Sequence, residues 1–194
     1  MRVDSTFTLK PGDVAPKFEL PDADGKLVSL DYVSGPHGVL VVFACNHCPY
    51  VIHLADALGI LASRAFACGI GTVVINSNDL EAYPQDGPEF MKTFAEKHDW
   101  GFPYLIDETQ QVAKQYGAAC TPDFFLFDAD MRLYYAGQFD DSRPKNGSVA
   151  SGADLQAAID GMLAGDPVPQ NVVPSSGCNI KWKPGQEPAW FPVS

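Results

Sequence analysis

The sequence predicts an α/β layered domain, a central mixed β-sheet flanked by helices, with an N-terminal β-hairpin and a proline-rich C-terminal extension. Three observations carry this expectation. GVLVVFA at 38–44 is an unbroken apolar, β-branched run, the pattern of a strand covered on both faces. Val51, Leu54, Ala55, Leu58, Leu61, Ala62 and Ala65 then recur at helical spacing, with Gly69 where a helix would stop. DFFLF (123–127) and RLYYAG (132–137) flank Asp-Ala-Asp-Met, which argues for an antiparallel hairpin.

The remaining elements fall into order around these. PKFELPDADGKLVSLD (16–31) reads as two short strands around Asp-Ala-Asp-Gly. GIGTVVIN (69–76) is a second buried-type strand, and SNDLEAYPQDG (77–87) a polar loop. Phe90, Met91, Phe94 and Ala95 mark a short amphipathic helix, FPYLID (102–107) a strand, and TQQVAKQYG (109–117) a helix closed by Gly117. Leu155, Ala158, Ile159, Met162 and Leu163 give a last helix. Residues 1–165 are therefore expected to form the domain and 166–194 an extension. The extension holds six prolines (167, 169, 174, 184, 188 and 192), yet its Ile180, Trp182, Trp190 and Phe191 are anchors that favour wrapping over the domain.

A chain of 194 residues with 46% hydrophobic residues suits one folded domain with a terminal extension. Thirteen Lys and Arg against 24 Asp and Glu give a net charge of −11, so no cationic field exists for nucleic acid or anionic lipid. No segment reads as an apolar run of about 20 residues, and MRVDSTFTLKPGDVAP lacks the apolar core of a signal peptide. The cytoplasm is the expected address. Five cysteines are too few for a disulfide scaffold, so their spacing carries the information.

The sharpest signal is Cys45-Asn46-His47-Cys48, between the strand 38–44 and the long helix. Unpaired N–H groups at a helix N-terminus stabilise a thiolate, which predicts Cys45 as nucleophile and Cys48 as the thiol that resolves its mixed disulfide. Pro49 fits a first helical turn. His47 reads either as an electrostatic aid to Cys45 or as an exposed side chain. No organic cofactor or metal is expected, because a zinc site needs about four ligands and no second CxxC or HxxxH stands in the sequence. Thr121-Pro122 is the second signal: X–Pro bonds are the ones that adopt cis geometry, and such a turn before a strand leaves a backbone edge open to another chain.

A strand ending in CxxC at a helix N-terminus, followed by Thr-Pro ahead of a hairpin and a last helix, resembles the thioredoxin-like superfamily. PGDVAPKFEL, the additional αβ unit between CxxC and Thr-Pro, and TPDFFLFD are similar to its peroxiredoxin-like branch, the redoxin or AhpC/TSA group. The resemblance covers about residues 10–165. It implies a thioredoxin-like fold, Cys45 and Cys48 as a redox-active centre, Pro122 as a cis proline packed against it, and Thr121 as a backbone partner for substrate. The family's peroxide motif, PxxxTxxC, is not intact: placing its cysteine on Cys48 puts Val41 and Cys45 at the proline and threonine positions. Thioredoxins also carry a buried acid where Val39 stands, which leaves the proton acceptor for Cys48 unassigned.

These readings lead to a thiol-disulfide oxidoreductase acting on a protein or small-molecule disulfide with an external thiol reductant. A thiol peroxidase with antioxidant activity is the alternative, and a binding module using the Thr121-Pro122 surface without turnover is a third. Cys68 and Cys120 are expected to be buried packing residues, and His53 a surface or packing residue. Cys178 is either a tail cysteine or a third redox thiol, and Arg143 either a solvated loop residue or a stabiliser of an anionic sulfur.

Overall fold

The computed structural model describes residues 1–191; Pro192, Val193 and Ser194, the end of the predicted extension, lie outside the described residues. The chain runs β1 (Arg2–Asp4), β2 (Glu19–Pro21), β3 (Leu27–Ser29), α1 (Leu30–Val33), β4 (Gly38–Phe43), α2 (Pro49–Ala67), β5 (Ile70–Asn76) and α3 (Pro88–Lys97). It continues with β6 (Tyr104–Ile106), α4 (Gln111–Tyr116), β7 (Cys120–Thr121), β8 (Asp123–Phe127), β9 (Leu133–Gly137), α5 (Ala153–Ala164) and β10 (Ser176–Asn179).

The central sheet has the order β6-β5-β4-β8-β9. Strands β4, β5 and β6 are parallel, and β8 and β9 join antiparallel, so the sheet is mixed as the sequence predicts. Because side chains alternate along a strand, β4 divides its own apolar run between two cores. Leu40 and Val42 face the side packed by Leu54, Leu58, Leu155 and Ile159; Val39, Val41 and Phe43 face Val112, Tyr116, Phe125 and Phe127. That two-sided burial holds β4 at the centre of the sheet and carries the chain into the core as far as Cys45.

Three local readings need correction. The second strand of the N-terminal hairpin stops at Ser29, whose hydroxyl accepts the Tyr32 N–H at 3.2 Å and starts the short helix α1 instead. Helix α2, with its 19 residues, is long and apolar enough to cross a bilayer by length and composition, which the sequence reading missed because its polar residues are scattered. Here its Val51, Leu54, Ala55, Leu58, Leu61 and Ala62 are buried, most of them in the core beneath the sheet. The third correction concerns the short terminal strands, which lacked any alternating pattern. β1 and β7 flank β10 in a three-stranded antiparallel sheet, pairing Arg2 with Cys178 and Cys178 with Thr121. Beyond β10, Ile180 and Trp182 are buried in the second core, and Trp190 stands edge-on to Trp182 at 6.0 Å.

Candidate active site

Strand β4 and the first turn of α2 place the two CxxC sulfurs, and the Pro49 ring decides which of them meets the helix. Proline has no N–H and a fixed φ, so it occupies the first helical position and makes Cys48 the N-cap. Cys48 therefore sits at the helix end, its sulfur 3.1 Å from the Thr121 carbonyl, and Cys45 lies three residues upstream. The residue at the helix N-terminus is thus Cys48, where the sequence reading placed the emphasis on Cys45.

Electrostatics follow from that placement. Cys48 is held well below the ordinary thiol range: Cys178 and then Cys45 lie beside it as thiol donors, outweighing the burial that opposes charge, and the Thr121 hydroxyl and Val51 N–H add to them. Cys45 is pushed up, first because its proton is held toward Cys48, then by burial and by the negative charge of Asp86. Cys178 is pushed up for the same first reason, since its thiol also serves Cys48. In its neutral form the Cys48 thiol donates to the Thr121 carbonyl at 3.1 Å. Thr121 also reaches Cys45, with its Oγ1 at 3.5 Å from Sγ, and the Thr121-Pro122 peptide is cis.

His47 is half-buried and shared. Its Nδ1 lies 4.0 Å from the Cys45 sulfur and 2.7 Å from an Asp86 carboxylate oxygen, while its ring stacks on Tyr83 at 5.5 Å. Asp86 is fully buried and was not singled out from sequence, where it sits in an unpatterned loop 38 residues past Cys48. The backbone N–H groups of Asn46 and His47 donate to its Oδ1 at 3.0 and 3.2 Å, and the Asn78 amide donates to its Oδ2 at 2.8 Å. Asp86 thus fastens the CxxC turn. Tyr104 adds a tie, its hydroxyl donating to the Asn46 side chain at 2.9 Å.

Cys45, His47 and Asp86 each present a metal-ligand atom, all within 4.8 Å of one another. The Asp86 oxygens already accept the donors just described, so the set is organised as a hydrogen-bonded web around the turn.

Cys45, His47, Cys48, Thr121 and Pro122 therefore converge, Cys178 joins them from β10, and the remaining candidates do not. Arg143 donates to the carbonyls of Asp140 and Ser142 at 2.7 and 2.6 Å and belongs to its own loop. His53 pairs with the Ser142 hydroxyl at 3.0 Å. Cys120 is buried, its thiol donating to the Pro122 carbonyl at 3.4 Å. Cys68 is exposed, contrary to its expected burial, because it caps α2 at the end remote from the sheet's site. The expectation that Thr121 offers an open edge is also corrected: β10 of the same chain occupies it. Asp123 is a second buried acid that sequence reading passed over. Burial raises its carboxyl from 3.8 to about 6, against the Ser5 hydroxyl donating at 2.6 Å and the Ala119 N–H at 3.1 Å.

Residues 11–136 match the model of the AhpC/TSA family. The chain belongs to that family. It is 31% identical over 150 residues to peroxiredoxin Bcp of Escherichia coli K12, covering 71% of this chain and 90% of that protein. Among solved structures, a conserved uncharacterized protein of Geobacillus kaustophilus superposes with a TM-score of 0.91 at 48% identity, over 95% of this chain and 98% of that one. A putative thiol:disulfide interchange protein DsbE of Chlorobium tepidum gives a TM-score of 0.63 at 22% identity, over 80% of this chain and 99% of that one, a likeness of fold. The AhpC/TSA chain described here thus has a thioredoxin-like fold and is an oxidoreductase of the thioredoxin and peroxiredoxin group.

Proposed function

We propose that this AhpC/TSA protein is a cytoplasmic thiol-disulfide oxidoreductase whose redox pair is Cys45 and Cys48, working without a bound organic cofactor or metal. The observation that carries the reading is the Cys48 sulfur at the α2 N-cap with the Cys45 thiol beside it. The roles run opposite to the order in sequence. The Cys48 thiolate attacks one sulfur of a substrate disulfide and expels the other as a thiolate. Cys45 then gives up its proton and attacks the Cys48 sulfur, closing the Cys45–Cys48 disulfide and releasing the second substrate thiol. An external thiol returns the two electrons.

His47 and Asp86 support this by position. Asp86 fixes the turn that carries Cys45, and its charge keeps Cys45 protonated until the second step. Both cysteines are buried, at 1% and 0% exposure, and the residues around them that reach the surface include Asn46, His47 and Cys178. With β10 on the Thr121 edge, compact disulfides fit this approach better than an extended protein strand, and a binding module built on that edge loses its surface.

A thiol peroxidase is the second reading, favoured by the same pairing of a Cys48 thiolate with a neutral thiol. A hydroperoxide would oxidise Cys48 to the sulfenic acid, and Cys45 would displace water to form the same disulfide. Stopped-flow oxidation separates the two. A peroxide rate no faster than that of a free thiol removes the peroxidase. Trapping with a Cys45→Ser, Cys178→Ser double variant and oxidised glutathione should leave a stable adduct on Cys48; no adduct would overturn the oxidoreductase reading.

A further inference from the structure

We propose that Cys178 is a third redox thiol, the outward end of a relay in which the Cys48 sulfur exchanges disulfide partners between Cys45 and Cys178. The inference rests on the Cys45/Cys48 reading above. Its basis is the seating of β10, whose Cys178 lies 130 residues beyond Cys48 in the chain.

Cys178 pairs in register with Thr121, the residue whose carbonyl lies 3.1 Å from the Cys48 sulfur. The approach is close: a Cβ on Gly177 would fall 2.1 Å from the Thr121 carbonyl oxygen, so only glycine lets β10 lie this near. Cys178 consequently packs against the core cluster that contains both Cys45 and Cys48. Of the three thiols it alone is partly exposed. The neighbouring thiols of both others favour the Cys48 thiolate, which makes Cys48 the natural hub.

The chemistry balances without a new oxidant. Starting from the Cys45–Cys48 disulfide, the Cys178 thiol loses its proton and attacks the Cys48 sulfur, and the expelled Cys45 thiolate takes up a proton. One S–S bond breaks, another forms, and no electrons enter or leave. The resulting Cys48–Cys178 disulfide presents its outer sulfur to an external thiolate. Attack there expels the Cys48 thiolate, which the Cys45 thiol, the Thr121 hydroxyl and the Val51 N–H stabilise as it leaves. A second external thiolate then attacks the mixed disulfide on Cys178, releasing an external disulfide and free Cys178.

The relay explains how a buried pair is re-reduced from outside. It also gives β10 a role at the Thr121 edge: a built-in strand whose cysteine stands where a substrate's would.

The test uses the full chain oxidised with one equivalent of diamide, acid-quenched, digested and mapped by mass spectrometry. Cys45→Ser should form a Cys48–Cys178 disulfide, and Cys178→Ser a Cys45–Cys48 disulfide. Cys45→Ala repeats the first arm should the serine disturb folding. Failure of both Cys45 variants to form a disulfide, with Cys178→Ser still forming Cys45–Cys48, overturns the relay and leaves the redox pair standing. Success of the Cys45 variants with failure of Cys178→Ser supports the relay contact and refutes the pair. In wild type, reduction of the oxidised protein by glutathione should be roughly tenfold faster than in Cys178→Ser; equal rates overturn Cys178 as the outward end.

Discussion

The CxxC turn and the tail strand β10 meet at one sulfur, but they reach it by different physics. The turn is local. β4 is buried on both faces up to Phe43, Pro49 begins the helix, and only five residues lie between, so Cys45 and Cys48 are placed by their immediate neighbours. The tail is placed by long-range pairing: β10 is held by β1 on one side and β7 on the other, and by Ile180 and Trp182 sunk into the second core. A locally specified site is rigid and readable, whereas a strand added from a distance is a part that can be displaced.

The largest effect that distinguishes the two regions should come from Cys48, the atom they share. Cys48→Ser removes both disulfides, so turnover of a small disulfide with glutathione should fall to background, a loss of at least about 10³-fold on the scale of other nucleophile deletions. Cys45→Ser should lose less, because Cys178 still resolves Cys48. Equal losses in the two variants would mean that the tail contributes no chemistry.

That asymmetry mirrors what was legible. The sequence displayed Cys45, Cys48, Thr121 and Pro122 because a CxxC after an apolar strand and a Thr-Pro before a hairpin are short patterns with a mechanism. The buried strands and the mixed character of the sheet were equally readable, since GVLVVFA, GIGTVVIN and DFFLF are continuous apolar runs; their spatial order was not. Which of the two cysteines caps the helix was not read from the sequence: Pro49 takes the first helical position and makes Cys48 the N-cap. Asp86 left no trace, as one acid in a polar loop, and its importance arises from folding back on the turn. SGCN has no β-branched residue and no alternation, so nothing in it announces a strand.

On the tail side, Asp123 ties β8 to the N-terminal segment through Ser5, and its burial should make stability depend on pH. Its carboxyl is raised in the fold, so the native state resists its ionisation. The fold is most stable with respect to this group below pH 3.8, loses stability as pH rises toward about 6, and is constant above that. The rise from 3.8 to about 6 corresponds to about 3 kcal/mol. Urea unfolding of wild type and Asp123→Asn at pH 4 and pH 7 checks the sign: the wild type should gain on the variant toward acid. A pH-independent gap would show that Asp123 carries no penalty.

A change in the seating of β10 should be somewhat smaller in energy but selective in effect. Gly177→Ala drives a methyl group into the Thr121 carbonyl, and the strand must shift. Overpacking of this kind costs about 1–3 kcal/mol. The sharper readout is access: with β10 moved, Cys48 should alkylate with iodoacetamide faster than in wild type, while the far-off Cys68 reacts unchanged. Unaltered Cys48 reactivity in a destabilised variant would show that β10 does not cover the pair.

The smallest effect belongs to the CxxC side and is electrostatic. Asp86→Asn keeps the size of the side chain and an oxygen able to accept from the Asn46 and His47 N–H groups, but removes the charge that opposes ionisation of Cys45. The Cys45 thiol should therefore ionise more readily than in wild type, measurable as thiolate absorbance in a Cys48→Ser, Cys178→Ser background where Cys45 is the only thiol of the cluster. Burial still opposes the charge, so the change is a partial one. A Cys45 titration unmoved by the substitution would mean that Asp86 acts on the turn through its hydrogen bonds alone, and the local region would then owe its chemistry to geometry rather than to a buried charge.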